Sequence, residues 1–118
     1  LSSVERYDPA ANSWEAVAPM GTSRALAGVA VLDGKLYAVG GQNYDDEHLS
    51  SVERYDPLTN AWEAVAPMAE ARRAHKTAVL DGKLYAVGGD SDDGLLSSVE
   101  RYDPALNAWE TVAATNAW

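Results

Sequence analysis

The chain has 118 residues, 47% of them hydrophobic, and a formal net charge of −9; this allows one sizeable core and argues against nucleic-acid backbones, which need a lysine and arginine footprint. It contains no cysteine, which excludes disulfides and thiolate metal sites. No apolar run approaches the roughly 18 residues of a membrane span and no basic-then-apolar leader opens the chain, so the expected compartment is cytoplasmic.

In chain order, Val4-Glu-Arg-Tyr7 alternates as a strand, Asp8-Pro9 opens a turn, and Trp14-Glu-Ala-Val17 returns until Pro19, which has no N–H to donate. Met20 to Arg24 is a connector. The next unit, from about Ala25 to Met68, holds Val29 to Leu32 and Leu36 to Val39 around Asp33-Gly34, a strong signal for a two-residue hairpin turn with positive φ at both positions. Gly40-Gly41 then removes two side chains in a row, permitting a sharp bend or a close backbone approach. A polar loop from Gln42 to Leu49 leads to the third strand. The last unit, from about Ala74 to Ala113, repeats this plan with Ala78 to Leu80 and Leu84 to Val87 around Asp81-Gly82, the pair Gly88-Gly89, and a loop from Asp90 to Leu96.

Internal repetition is the informative feature. Ser-Ser-Val-Glu-Arg-Tyr-Asp-Pro occurs at Ser2 to Pro9, Ser50 to Pro57 and Ser97 to Pro104. Tryptophan follows each tyrosine of that run, pairing Tyr7 with Trp14, Tyr55 with Trp62 and Tyr102 with Trp109. Period-two apolar spacing with regular turn signals predicts four short antiparallel strands per repeat. One Tyr and Trp per repeat at a fixed position reads as core between repeats. The recurring pairs Glu5-Arg6, Glu53-Arg54 and Glu100-Arg101 read as ladder or rim charges, because strand neighbours face opposite sides.

Gly-Gly after an apolar strand, then Tyr-Asp-Pro, then Asn and Trp, resembles the kelch motif across essentially the whole chain, and its wording is most similar to the kelch domains of animal BTB-kelch proteins. The resemblance implies an all-β fold of kelch-type β-propeller blades, each of four antiparallel strands, with two complete blades plus an N-terminal half-blade. The segments are 1–22 (half-blade), 23–69 (blade) and 70–118 (blade with an atypical end). Propellers close with 4 to 8 blades, so two blades leave lateral faces that need covering by copies of the chain or by the remainder of a larger propeller. Three copies would give six blades, a count in which the half-blade has no place. The near-identical repeats read as a consensus-like or engineered sequence or as a fragment of a natural one, and Thr115 to Trp118, which repeats Thr59 to Trp62, as a truncation or splice.

The chemistry-bearing residues favour no enzyme. His48 and His75 lack a second ligand at metal spacing, and Asp90-Ser-Asp-Asp-Gly94 lacks the bidentate glutamate of a calcium loop. The copper radical oxidases among kelch-like propellers need a cysteine joined to a tyrosine, and this chain has no cysteine. No cofactor is expected. The resemblance instead implies a protein-binding face built from the loop between second and third strands and from the connectors: Gln42, Asn43, Tyr44, Asp45, Asp46, Glu47, His48, Asp90, Ser91, Asp92 and Asp93, with Arg24, Arg72, Arg73 and His75. Where some members place a peptide-binding arginine, this chain has Leu26 and Ala74. The acidic loops predict a basic rather than an acidic ligand. Two functional readings follow, a self-assembling propeller building block, which is favoured, and a substrate-recognition module of a BTB-kelch ubiquitin-ligase adaptor.

Overall fold

Two Asp-Gly turns seed the architecture of the protein, whose computed structural model describes residues 1–113; the recurrence at Thr115 to Trp118 lies outside the described residues. Asp33 and Gly34 have φ of 51° and 75°, and Asp81 and Gly82 have 52° and 74°, the pairs of positive values that a type I′ hairpin requires. Each turn joins the first two strands of a four-stranded antiparallel sheet.

The first blade runs β3 (Gly28–Leu32), β4 (Lys35–Gln42), β5 (His48–Asp56) and β6 (Ala61–Val65), hydrogen-bonded in that order. The second runs β7 (Lys76–Leu80), β8 (Lys83–Val87), β11 (Val99–Asp103) and β12 (Ala108–Val112). Ahead of both, β1 (Val4–Asp8) and β2 (Ser13–Val17) form a two-stranded half-blade. Its register, Tyr7 opposite Trp14, is repeated by Tyr55 opposite Trp62 and Tyr102 opposite Trp109. The fold is thus all-β, two four-stranded blades and a two-stranded half-blade, the architecture that the resemblance implies. Among the described residues no helix is long and apolar enough to cross a membrane.

The segments between second and third strands depart from the predicted loops. In the first blade, β4 continues through Gly41 to Gln42 across a register shift, and β5 already begins at His48, so only Asn43 to Glu47 is loop. In the second, the segment folds into a small hairpin, β9 (Asp90–Ser91) with β10 (Gly94–Leu95). Gly41 and Gly89, at φ 100° and 96°, sit so close to the connectors that an added Cβ would lie 2.7 Å from the carbonyl oxygens of Ala25 and Arg73. The paired glycines serve the close approach that the sequence suggests.

One core spans the two blades: Leu32, Tyr37, Val39, Val52 and Met68 from the first side pack with Leu84, Ala86 and Tyr102. The rings of Tyr37 and Tyr102 meet across the junction at 5.7 Å. Trp62 and Trp109 are partly buried, and each indole Nε1 donates at 2.8 Å to a carbonyl of the preceding unit, Ala18 or Ala66. Their equivalent on the half-blade, Trp14, is 66% exposed.

Candidate functional site

The connectors carry the first surprise. Met20 to Ala27 and Met68 to His75 lead from one unit into the next, and their arginines turn inward. The Arg24 and Arg72 side chains have 0% exposure and pair with Glu53 and Glu100, Nη2 to Oε2 at 2.9 and 2.8 Å. Nη1 of Arg24 donates to the carbonyls of Gly40 and Ser51, and Nη1 of Arg72 to those of Gly88 and Ser98, all at 2.9 to 3.0 Å. Both arginines, expected on a ligand-binding face, are instead locks between adjacent units, their buried Nη groups committed to the strands they join; Arg24 Nε also reaches Glu53, whereas Arg72 Nε is buried without a partner among the described residues. Glu53 and Glu100 likewise depart from the rim role read for them. Their partners Arg54 and Arg101 keep it, pairing across the ladder with Glu63 and Glu110. The Arg54 pKa is pushed further up by its hydrogen bonds to Tyr37 Oη and Glu63.

His75 is also withdrawn from the surface, at 6% exposure. Burial, reinforced by the Arg72 charge, drops its pKa to about 4, so at neutral pH the ring is uncharged. Neither ring nitrogen meets hydrogen-bond geometry among the described residues, and the nearby Val39 backbone offsets the drop only in part.

The remaining predicted residues do come together at one end of the two blades. Asn43 organises the first loop: its Oδ1 accepts from Asp45 and Glu47 N–H, both at 3.0 Å, and its Nδ2 donates to Glu47 Oε1. Gln42 Nε2 donates to Asp46 Oδ1 at 2.7 Å. Arg73 then joins this loop to the β9–β10 hairpin of the next blade, bridging Gln42 Oε1 and Asp90 Oδ2. His48 Nδ1 lies 2.5 Å from Asp92 Oδ1, without the geometry of a hydrogen bond. Ser91 Oγ closes the hairpin by donating to the Gly94 carbonyl. Tyr44, Asp45, Asp46, Glu47, Asp92 and Asp93 are exposed, Tyr44 at 90%. The result is a rigidified acidic rim with one protruding aromatic ring. Among the described residues no group of three or more His, Cys, Asp or Glu side chains could hold a metal ion.

A family model described as the Kelch motif matches residues 1–21, 23–69 and 71–116. The chain belongs to the kelch-repeat family. Human Kelch-like protein 5 is 57% identical over 44 residues, covering 37% of this chain and 6% of that protein. Zebrafish (Danio rerio) Kelch-like ECH-associated protein 1A is 47% identical over 46 residues, 39% of this chain and 8% of that one. A mouse (Mus musculus) protein named Influenza virus NS1A-binding protein homolog is 49% identical over 49 residues, 42% and 8% respectively. The chain therefore spans under a tenth of the length of these relatives. A solved structure of YjhT superposes with a TM-score of 0.86 at 21% identity, covering 99% of this chain and 46% of that one, a likeness of fold.

Within this kelch frame, what sequence reasoning missed is the paired role of the connector and the third strand. A Met-x-x-x-Arg spacing at Met20–Arg24 and Met68–Arg72, recurring in step with the Glu of each Val-Glu-Arg-Tyr run, was the available signal.

Proposed function

We propose that the chain is a kelch protein-interaction module whose partner docks on the acidic rim formed by Tyr44 to Glu47 and Asp92-Asp93. The observation that carries this reading is the cross-blade bridge of the two loops through Arg73, with His48 and Asp92 in close approach beside it: a held surface loses little conformational entropy when it binds. Tyr44 supplies apolar area with a polar tip, a residue type enriched at interfaces, and the carboxylates favour a lysine- or arginine-bearing segment. The names of two relatives, one ECH-associated and one NS1A-binding, are of the same kind. The test is binding of a short Lys/Arg-rich peptide against its Glu-rich counterpart at low and high salt. Preference for the basic peptide, weakening with salt and lost on changing Asp45, Asp46, Asp92 and Asp93 to Ser, supports the reading; equal binding of both peptides, or full retention in the variant, refutes it.

A second reading, self-assembly, rests on the exposed edge of the half-blade. Glu5, Asn12 and Trp14 are exposed, whereas their equivalents Glu53, Asn60 and Trp62 take the Gly21, Ala18 and Arg24 groups of the preceding unit. Another blade, from a second copy or from further chain, covers that edge. Light scattering reads this directly: a mass above one chain that falls when Trp14 is changed to Ser supports assembly, and a stable monomer removes it.

A further inference from the structure

The two junctions between units are built on the same frame. Gly21 and Thr22 N–H donate to Glu53 Oε1 and Oε2 at 2.6 and 3.2 Å, and Ala69 and Glu70 N–H donate to Glu100 Oε1 and Oε2 at 2.7 and 3.2 Å. Arg24 Nη2 donates to Ser51 Oγ at 3.1 Å, and Arg72 Nη2 to Ser98 Oγ at 3.2 Å. Arg24 Nε also reaches Glu53 Oε2, whereas Arg72 Nε has no partner among the described residues, and the junctions differ again where Thr22 stands in the place of Glu70. At the second junction Ser98 Oγ donates a hydrogen bond to Glu70 Oε1 at 2.8 Å, and that oxygen stands 4.0 Å from Arg72 Nη2. At the first junction the residue in the place of Glu70 is Thr22, and the Ser51 hydroxyl has no acceptor among the described residues. A cleft of about 520 Å³ opens there over Thr22 and Ser51, walled by Pro19, Trp62, Val65 and Pro67.

We propose that this cleft takes a glutamate or aspartate side chain of a partner segment, seated on Ser51 Oγ and beside Arg24 as Glu70 is seated on Ser98 and Arg72. The negative charge of Glu53 is already met by Arg24 Nε and Nη2 and by two backbone N–H groups, and the second junction holds a further carboxylate beside Glu100, which has one donor fewer because Arg72 Nε is without a partner among the described residues. The volume exceeds one carboxylate side chain and falls within the roughly 300 to 1,000 Å³ of binding pockets. Apolar residues flanking the acid therefore have Trp62 and the two prolines to cover, which favours a peptide over a free ion. The proposal rests on the chain being a protein-interaction module, at a site separate from the acidic rim and of opposite preference.

The experiment is an amide NMR titration of the full chain with acetyl-Leu-Glu-Leu-amide and with the Gln counterpart. The Glu peptide is expected to shift the Thr22 and Ser51 amides and to bind about tenfold more tightly than the Gln peptide, the scale of one hydrogen bond to a charged group. Thr22→Glu fills the place from within and is expected to abolish the response, whereas Glu70→Thr is expected to add a second response at Ser98. Ser51→Ala, which leaves the connector untouched, is expected to weaken binding to the level of the Gln peptide. The proposal is overturned by equal affinity for the two peptides, by no response in the folded wild type, or by a folded Thr22→Glu that still responds. None of these outcomes bears on the salt-dependent binding expected at Tyr44 to Glu47, so the two readings fail separately.

Discussion

Arg72 and Glu100 lie 2.8 Å apart with side chains 0% and 1% exposed, and the carboxylate also accepts the N–H groups of Ala69 and Glu70. Glu100 therefore ties the connector to the third strand of the next blade at three points. Breaking a buried pair by removing one partner leaves the other charge uncompensated. Arg72→Met and Glu100→Leu are each expected to cost about 3–5 kcal/mol. The double variant should recover only part of the loss, because the two connector N–H groups stay without an acceptor. Urea unfolding of the three variants checks this; strictly additive losses would show that the pair is not coupled.

Gly41 and Gly89 combine positive φ with a carbonyl where a Cβ would lie, whereas Gly34 and Gly82 have positive φ and open space. Gly89→Ala is therefore expected to cost more than about 2 kcal/mol, and Gly34→Ala about 1–2 kcal/mol from the left-handed backbone alone. Denaturant midpoints of the two variants give the comparison. Similar losses at both sites would mean that the Arg73 carbonyl moves aside without penalty.

The contrast between these glycines marks how far the sequence can be read. Asp33-Gly34 and Asp81-Gly82 are local signals, and local chemistry suffices to set a two-residue turn. The repeats gave blade order and the Tyr–Trp register in the same way. Burial of Glu53 and Glu100 was not legible, because period-two reasoning assumes that one sheet face meets water. In β5 and β11 both faces are covered, with Val52, Glu53 and Tyr55 all buried, as happens to central strands of stacked sheets. Their glutamates thus point into a neighbouring unit that comes from elsewhere in the chain. The acidic rim was legible as loop chemistry, but its bridging by Arg73 depends on two segments meeting across blades.

Trp62 and Trp14 occupy the same place in successive units, yet only Trp62 has a preceding carbonyl for its indole N–H, Ala18 at 2.8 Å. Trp62→Phe is expected to destabilise by about 1–2 kcal/mol through the lost hydrogen bond and the orphaned acceptor. Trp14→Phe in the single chain should stay within about 0.5 kcal/mol, as for exposed positions. Urea unfolding followed by far-ultraviolet circular dichroism separates the two, since that signal does not depend on the tryptophan that each variant lacks. A large loss for Trp14→Phe would indicate that the half-blade edge is covered in solution.

His75 links stability to pH. Its pKa falls from 6.5 to about 4 on folding, through burial first and the Arg72 charge second. Between those values the unfolded chain binds more protons than the folded one, so stability is fully present above pH 6.5 and is lost as the pH falls toward 4. Going from pH 7 to pH 5 should cost the wild type on the order of 2 kcal/mol through this ring. His75→Leu cannot gain a proton there and also removes two unpartnered nitrogens from the interior. It is expected to flatten the pH dependence over this range, while the carboxylates common to both proteins titrate alike. Paired urea unfolding at pH 7 and pH 5 gives the difference, and an equal drop in wild type and variant would assign the acid sensitivity to other groups.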